Sequence, residues 1–369
     1  MTSKYTRRDF MSNTALAGLV AASSVGQAAQ PATGRNYIYP SAGSSRLLSL
    51  LEIDLPIIQA PSGGVVNHHM TAAVANAGGL GAIPLSWSSP EGAAQQIAAT
   101  QATTDNSIFV NFVLHLEPRA LQTALDSGVR IVQFSWGMPD ANMIDAIRAA
   151  KGVMGIQVTS EASAREALAL GADYLVCQGS EAGGHVQASM PLARALDEVL
   201  SVAKDTPVVA SGGIASGHKM RDYMQQGAAG VVMGSRFVAT RESGAHNAYK
   251  EALVNAKSAD TVFTTCMNKG WDNATHRILR NSTFEMWETA GCPAEGSRPG
   301  EKDVVATFGA DTAVERYSIN SPSKSYSGDI EALANYAGTS VDDINDIPSI
   351  DEVVRRIWEE FGTPDQAPA

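Results

Sequence analysis

The chain has 369 residues, of which 44% are hydrophobic and 18% charged, so it can bury one large core or two modest ones. This composition excludes a peptide hormone, a disulfide-stapled miniprotein and a disordered tail. The 38 acidic and 27 basic side chains give a net charge of -11, which repels phosphate polymers, so we expect no nucleic-acid partner. The cysteines, Cys177, Cys266 and Cys292, are too few and too scattered for a disulfide framework, and we expect no metal site.

The first 29 residues have the order of an export signal. A basic start that contains Arg7-Arg8-Asp9-Phe10-Met11 precedes an apolar stretch over residues 14–25 and a small-residue segment that ends at Ala29. The paired arginines resemble a twin-arginine signal, so we expect a periplasmic protein without stable membrane insertion after signal removal. A membrane anchor is the alternative, although the apolar stretch is shorter than the roughly 20 residues of a spanning helix. In an oxidising compartment the second and third cysteines could pair, and the sequence leaves this open.

Eight short apolar runs alternate with Ala-rich stretches of helical periodicity from Leu55 onward. The runs are apolar almost throughout, as in parallel strands that are buried on both faces. We predict strands at Ile57–Ala60, Leu80–Pro84, Ile108–Val113, Arg130–Ser135, Met154–Val158, Tyr174–Gln178, Pro207–Ser211 and Gly230–Gly234. We predict helices at His69–Ala77, Pro90–Thr100, Pro118–Ser127, Asp140–Ala150, Glu161–Leu170, Leu192–Lys204 and Gly217–Gln226.

Eight strand-helix units of this length predict an α/β fold of the (β/α)8 TIM-barrel type. The alternative is an open doubly wound sheet, whose first strand would be followed by Gly-x-Gly-x-x-Gly, and the run Ala60-Pro61-Ser62-Gly63-Gly64 does not supply it. Past Glu242 the alternation of apolar runs and helical stretches becomes irregular. This predicts a C-terminal helical excursion that caps the barrel. The predicted organisation is an export signal (1–29), an N-terminal extension (30–46), the barrel (47–257), a helical cap (258–345), a closing helix (346–362) and a tail (363–369).

The segments that end the last two predicted strands suggest a phosphate site. They read Ala210-Ser211-Gly212-Gly213-Ile214 and Val232-Met233-Gly234-Ser235-Arg236. TIM barrels often bind phosphate at these two positions through backbone amides, because glycine lets the backbone approach an anion closely. The alternative is that the glycines only form tight turns. The phosphate could belong to a sugar phosphate or to flavin mononucleotide (FMN).

The loop after the sixth predicted strand carries the candidate for catalysis. It reads Cys177-Gln178-Gly179-Ser180-Glu181-Ala182-Gly183-Gly184-His185, on the barrel face where TIM-barrel enzymes bind substrate. A histidine after two glycines can turn its ring toward a ligand and exchange a proton near neutral pH. A surface or core histidine is the alternative, but the position past a strand end favours catalysis by His185. Glu181 is expected to have a structural role.

Six short segments share one order with a known family. They are Pro56-Ile57-Ile58-Gln59-Ala60-Pro61, Asn76-Ala77-Gly78-Gly79-Leu80-Gly81, Val110-Asn111-Phe112, the loop from Gln178 to His185, Ser211-Gly212-Gly213-Ile214 and Met233-Gly234-Ser235-Arg236-Phe237. Together they resemble the nitronate monooxygenase family, formerly called 2-nitropropane dioxygenases, which are FMN-dependent TIM-barrel enzymes. The likeness extends from about Leu47 to Phe361 and depends above all on the Glu-Ala-Gly-Gly-His run.

The resemblance implies one bound FMN and no metal. It implies that Ala60, Pro61 and Ser62 pass under the flavin ring and that Asn111, Gln157 and Gln178 bind its polar edge. It further implies that Ser211, Gly212, Gly213, Gly234 and Ser235 hold the phosphate, that Gly183 and Gly184 also belong to the cofactor site, and that His185 is catalytic.

The function that this resemblance implies is the oxidation of nitronates or nitroalkanes by O2 to a carbonyl compound and nitrite. His185 would either deprotonate a neutral nitroalkane or, as imidazolium, hold the nitronate oxygens. Two alternatives stay open, namely an FMN-dependent enoyl reductase that uses NAD(P)H and a non-catalytic flavin-binding protein. The sequence leaves the physiological substrate and the oligomeric state open, so that an oligomer is possible.

Overall fold

The computed structural model describes residues 41–363. The predicted export signal (1–29) and the last six residues lie outside this range, so the signal and its cleavage stay predictions. Within residues 41–363, no helix is long and apolar enough to cross a membrane.

Strands and helices alternate through most of the described chain. The strands are β1 (Ile57–Gln59), β2 (Gly81–Pro84), β3 (Ile108–Val113), β4 (Ile131–Ser135), β5 (Val153–Val158), β6 (Tyr174–Gln178), β7 (Gly184–His185), β8 (Val208–Ser211), β9 (Gly230–Met233), β10 (Thr261–Thr264), β11 (His276–Leu279), β12 (Val304–Phe308), β13 (Thr312–Glu315) and β14 (Tyr326–Gly328). The helices are α1 (Ala42–Leu51), α2 (His68–Asn76), α3 (Pro90–Gln101), α4 (Leu121–Asp126), α5 (Ala141–Ala149), α6 (Glu161–Ala169), α7 (Leu192–Ala203), α8 (Gly217–Gln226), α9 (Ser235–Val238), α10 (Asn247–Asn255), α11 (Ser282–Thr289) and α12 (Ile350–Gly362).

Eight parallel strands form the barrel in the order β1-β9-β8-β6-β5-β4-β3-β2. A parallel bridge between Ile58 and Leu80 joins the two outer strands of this sheet and closes it. The predicted TIM barrel is therefore confirmed, and each predicted strand end lies within one residue of the observed one. Because parallel strands leave the barrel at one end, the segments after β6, β8 and β9 converge there.

Helix α1 was not predicted, and it packs against the barrel interior. Leu47 and Leu51 on this helix are fully buried in one cluster with Ile58, Tyr174 and other inward-facing strand residues. Burial of each leucine contributes about 1.5–3 kcal/mol. The helix thus begins inside the segment that was predicted as an N-terminal extension and belongs to the core.

The segment 258–345 differs from the predicted helical cap, because most of its regular structure is strand. It holds one α-helix, α11, two short 3-10 turns and antiparallel sheets of the orders β10-β11-β7 and β13-β12-β14. Strands β12 and β13 contain β-branched residues and are joined through Gly309, whose φ is +65°. Such a composition favours a hairpin over a helix. The predicted closing helix is present as α12.

A close packing contact inside the barrel gives a stability prediction. An added β-carbon on Gly155 would lie 2.1 Å from Cζ of Tyr174, whose side chain is fully buried. We expect Gly155→Ala to lower the free energy of unfolding by about 1–3 kcal/mol, because the ring must move within a closely packed interior. Urea unfolding measures this change. Gly362→Ala is the control, since no atom lies within 4 Å of its added carbon, and an equal effect of both substitutions would contradict the packing argument.

Candidate active site

One cavity of about 990 Å³ opens where the segments after the barrel strands converge. Every residue predicted from the sequence to belong to the site lines it, namely Ala60, Pro61, Ser62, Asn111, Gln157, Gln178, Gly183, Gly184, His185, Ser211, Gly212, Gly213, Gly234 and Ser235. The structure therefore brings the predicted phosphate-binding turns and the predicted catalytic histidine to one site.

The turns after β8 and β9 present unpaired backbone amides. Gly212 and Gly213 have φ values of +124° and +68°, which favour glycine. A β-carbon on either would also lie 3.0 Å from a neighbouring atom, the Ala182 amide nitrogen for Gly212 and Thr339 Oγ1 for Gly213. Among residues 41–363, no acceptor forms a hydrogen bond with the backbone amides of Gly212, Gly213 and Gly234. Amides in this arrangement can bind an anion without a charged side chain.

A C-terminal segment holds the loop after β6 in place. The amide of Gly338 donates to Ser235 Oγ at 3.0 Å, and the amide of Thr339 donates to the Glu181 carbonyl at 3.0 Å. An added β-carbon on Gly183 would lie 2.3 Å from the Gly338 nitrogen, so the two backbones pack directly. The Glu181 carboxylate accepts from the Leu192 amide at the start of α7 at 2.9 Å, which is the structural role expected for it.

Gln187 was not among the predicted site residues, and it connects three of the barrel strands. Its Oε1 accepts from Gln157 Nε2 at 2.5 Å and from the Trp136 amide at 2.9 Å. The backbone amide of Gln187 donates to Gln178 Oε1 at 2.8 Å, and Gln178 Nε2 donates to the His185 carbonyl at 3.3 Å. This network fixes the backbone that carries His185. The position of Gln187 two residues after the histidine was the available signal.

Aromatic side chains surround the His185 ring, and none of them was predicted from the sequence to belong to the site. Trp271 stacks on it with centroids 4.5 Å apart and planes at 23°, and Tyr336 lies at 5.3 Å. Trp136, directly after β4, lies edge-on at 6.3 Å. His115 also stacks on Trp271, with ring centroids 4.9 Å apart. Trp271 and Tyr336 come from the C-terminal segment, where no sequence pattern linked them to His185.

Nε2 of the His185 imidazole is buried. Among the residues that the structure describes, it has no hydrogen-bond partner. Burial, the larger cause, and the nearby His276 together lower the pKa of His185 to about 3. The ring is therefore neutral at neutral pH and can accept a proton at Nε2. Of the two roles expected for His185, the lowered pKa favours the base over a resident imidazolium.

His276 is a structural histidine. Its Nδ1 donates to the Ala274 carbonyl at 2.9 Å, since a carbonyl only accepts, and its Nε2 accepts from the Met267 amide at 3.1 Å. Both ring nitrogens are thus satisfied in the neutral form, and burial lowers the pKa of His276 to about 4.

The cysteines take no part in this site. All are free thiols, so the structure contains no bond between Cys266 and Cys292. Cys177 and Cys266 are buried, and burial raises the pKa of each thiol to about 12. Within residues 41–363, no group of three or more His, Cys, Asp or Glu side chains could hold a metal ion.

Comparison with known proteins shows the family to which this chain belongs. The family model described as nitronate monooxygenase matches residues 44–123 and 115–360. The chain belongs to the nitronate monooxygenase family. The resemblance seen in the sequence is confirmed, and the protein is an enzyme, a flavin-dependent oxidoreductase.

Individual relatives cover most of the chain. A nitronate monooxygenase from Pseudomonas aeruginosa is 29% identical over 86% of this chain and 99% of its own length. A (3aS,4S,5R,7aS)-5-hydroxy-7a-methyl-1-oxo-octahydro-1H-indene-4-carboxyl-CoA dehydrogenase from Mycobacterium tuberculosis is 32% identical over 68% of this chain and 70% of its own. The solved structure of FabK from Thermotoga maritima is 29% identical, with a TM-score of 0.70, over 86% of this chain and 95% of that one.

The residues present fit a flavin nucleotide. Three unpaired glycine amides and the hydroxyl of Ser235 are available to a phosphate at one part of the cavity wall. His185, whose Nε2 has no hydrogen-bond partner among the described residues, lines the same cavity. Among the described lining residues the one lysine or arginine is Lys269, and its Nζ pairs with the Glu315 carboxylate. A phosphate would therefore be held by neutral groups.

Proposed function

We propose that this enzyme uses FMN and O2 to oxidise nitronates, or the nitroalkanes from which they form, to a carbonyl compound and nitrite. The observation that carries the proposal is that His185, whose Nε2 is buried and has no hydrogen-bond partner among the described residues, lines the same cavity as Gly212, Gly213 and Gly234. The near full-length similarity to a nitronate monooxygenase supports it.

FMN fits the cavity better than a dinucleotide. The two glycine turns offer one phosphate site, and no glycine-rich dinucleotide motif follows β1. The phosphate would bind the turns after β8 and β9, while Ala60, Pro61 and Ser62 would lie under the ring and Asn111, Gln157 and Gln178 at its polar edge. Bound FMN would accept electrons from the substrate and pass them to O2.

Residues of this chain would accept the substrate proton and stabilise the charge that its removal leaves. A neutral His185 can take the proton from the carbon that bears the nitro group, which leaves an anionic nitronate beside an imidazolium. That anion raises the pKa of the ring while it is bound, because opposite charges stabilise each other where water is excluded. Trp271 and Tyr336 cover the ring and keep bulk water from it. A nitronate that is already formed needs no proton transfer.

Anaerobic mixing of the purified flavoprotein with ethylnitronate, with propionate-3-nitronate and with NAD(P)H, each in turn, tests this proposal. We expect each nitronate to bleach the visible flavin absorbance and O2 to restore it with release of nitrite. Rapid bleaching by NAD(P)H and none by nitronates would overturn the proposal. Chromatography of the released chromophore separately tests FMN, and recovery of FAD would contradict it.

A second candidate is oxidation or reduction of an acyl thioester, as in an FMN-dependent enoyl reductase. The observation in its favour is the 32% identity to a relative whose name specifies a carboxyl-CoA substrate. The same mixing experiment distinguishes the reductase, because that candidate requires reduction of the flavin by NAD(P)H and not by a nitronate.

The phosphate site is tested at Gly234, because its backbone accepts a side chain. Its φ is -108°, and the nearest atom to an added β-carbon is Ala60 Cβ at 3.4 Å. We expect Gly234→Asp to weaken FMN binding about 1,000-fold, since like charges near 4 Å at an effective dielectric of roughly 20 cost about 4 kcal/mol. Gly234→Asn is the matched neutral control. Equal flavin retention in both variants, measured by equilibrium dialysis, would place the phosphate elsewhere.

The role of His185 is tested by His185→Asn, which keeps a polar side chain but removes the base. We expect FMN binding to persist and kcat/KM to fall about 100- to 1,000-fold with neutral nitroalkane, with a smaller loss for pre-formed nitronate. Steady-state O2 consumption with both forms of one substrate measures the difference. Parent-level turnover of both forms would remove His185 from the mechanism.

A further inference from the structure

We propose that the substrate of this site carries an uncharged apolar tail of several carbons, which binds an aromatic lip at the cavity mouth. The lip is defined as Trp87, Phe308 and Tyr326. This inference rests on the proposed function, because it names the class of nitronate or nitroalkane that the site accepts.

The lip belongs to the same cavity as His185. Its three aromatic residues line the cavity of about 990 Å³ together with His185 and the glycine turns. A volume of this size lies at the upper end of the range for small-molecule sites. A substrate with its nitro group at His185 can therefore extend along one continuous wall to the lip.

Direct contacts join the two sides of the lip. The Trp87 indole lies against Gly63, where an added β-carbon would be 3.2 Å from a ring carbon. The next residue, Gly64, lies against the carbonyl of Ser321, 3.5 Å from its own added β-carbon. Ser321 is followed by β14, in which Tyr326 pairs with Phe308 of β12, and the two rings have centroids 5.1 Å apart. A barrel loop and the cap segment that precedes β14 thus meet beside the lip, and all three lip residues line the same cavity.

The exposure of the lip indicates that a ligand covers it. Trp87 is 57% exposed and Phe308 44% exposed, and both line the cavity. Exposed aromatic side chains that border a catalytic cavity lose unfavourable contact with water when an apolar group binds. The occupant is the substrate tail, because the surface continues from the lip into the cavity that holds His185.

The charges of the wall favour an uncharged tail over a carboxylate. Lys269 is the one lysine or arginine among the described lining residues, and its Nζ pairs with Glu315. A second carboxylate near this pair would meet repulsion from Glu315 and compete for an occupied cation. Apart from Gly338, the remaining cap residues of the wall carry hydroxyl, amide or apolar groups, namely Trp271, Phe308, Thr312, Ala313, Val314, Ser318, Ile319, Asn320, Ser321, Ser323, Ser325, Tyr326, Tyr336 and Ser340.

The test measures kcat/KM of the FMN holoenzyme for unbranched 1-alkylnitronates of two to eight carbons. We expect kcat/KM to rise about two- to fourfold for each added methylene until the tail passes the lip. Trp87→Ala and Phe308→Ala should each lower the ratio of the eight-carbon to the two-carbon value by about tenfold. Phe263→Ala is the matched control, since Phe263 is 43% exposed but is not among the residues that line the cavity.

A binding measurement separates this inference from the proposed function. Titration calorimetry with 1-nitrooctane and nitroethane should give tighter binding of the longer compound, reduced by Trp87→Ala and unchanged by Phe263→Ala. If nitronates turn over without dependence on chain length, or if propionate-3-nitronate exceeds the eight-carbon substrate, the inference is wrong and the proposed function stands. If nitronates do not turn over but 1-nitrooctane binds in a Trp87-dependent way, the lip stands as an apolar-tail site and the proposed reaction falls.

Discussion

The antiparallel pairing of Gly184 and His185 with Arg277 and His276 is the interaction on which the site depends. The loop after β6 leaves the barrel as an irregular segment. This pairing makes its last two residues, β7, the edge strand of a cap sheet. Further bonds support this pairing, since Thr275 donates through Oγ1 to the Val186 carbonyl at 2.6 Å and accepts from the Val186 amide at 2.8 Å. The direction of the His185 ring is therefore set by the cap as much as by the barrel.

The two parts of the structure contribute different chemistry. The barrel provides backbone amides at glycine turns, where position depends on eight strands that hydrogen-bond in a closed sheet. The cap provides the aromatic cover of His185 and the low-dielectric surroundings that keep its imidazole neutral. The base that we propose, uncharged before the substrate arrives and paired with an anion afterwards, needs both contributions.

The barrel and the location of the site could be predicted because they depend on local patterns. Apolar runs about five residues long, each followed by glycine or a polar residue, define both the strands and the loops at their carboxyl ends. Trp271, Tyr336 and the cap sheets were missed because they depend on pairing between distant segments. The hairpin of β12 and β13 did carry a signal, since β-branched residues flank Gly309. Gln187 was missed because its role exists only where β4, β5 and β6 meet.

The second cap sheet has a consequence for how this family diversifies. Its strands β12 and β14 place Phe308 and Tyr326 on the cavity wall, whereas the glycine turns belong to loops of the barrel. Replacement of side chains on these short strands can reshape the wall without altering the backbone at Gly212 or Gly234. A lineage can thus alter what this wall accepts while the glycine turns keep their backbone conformation.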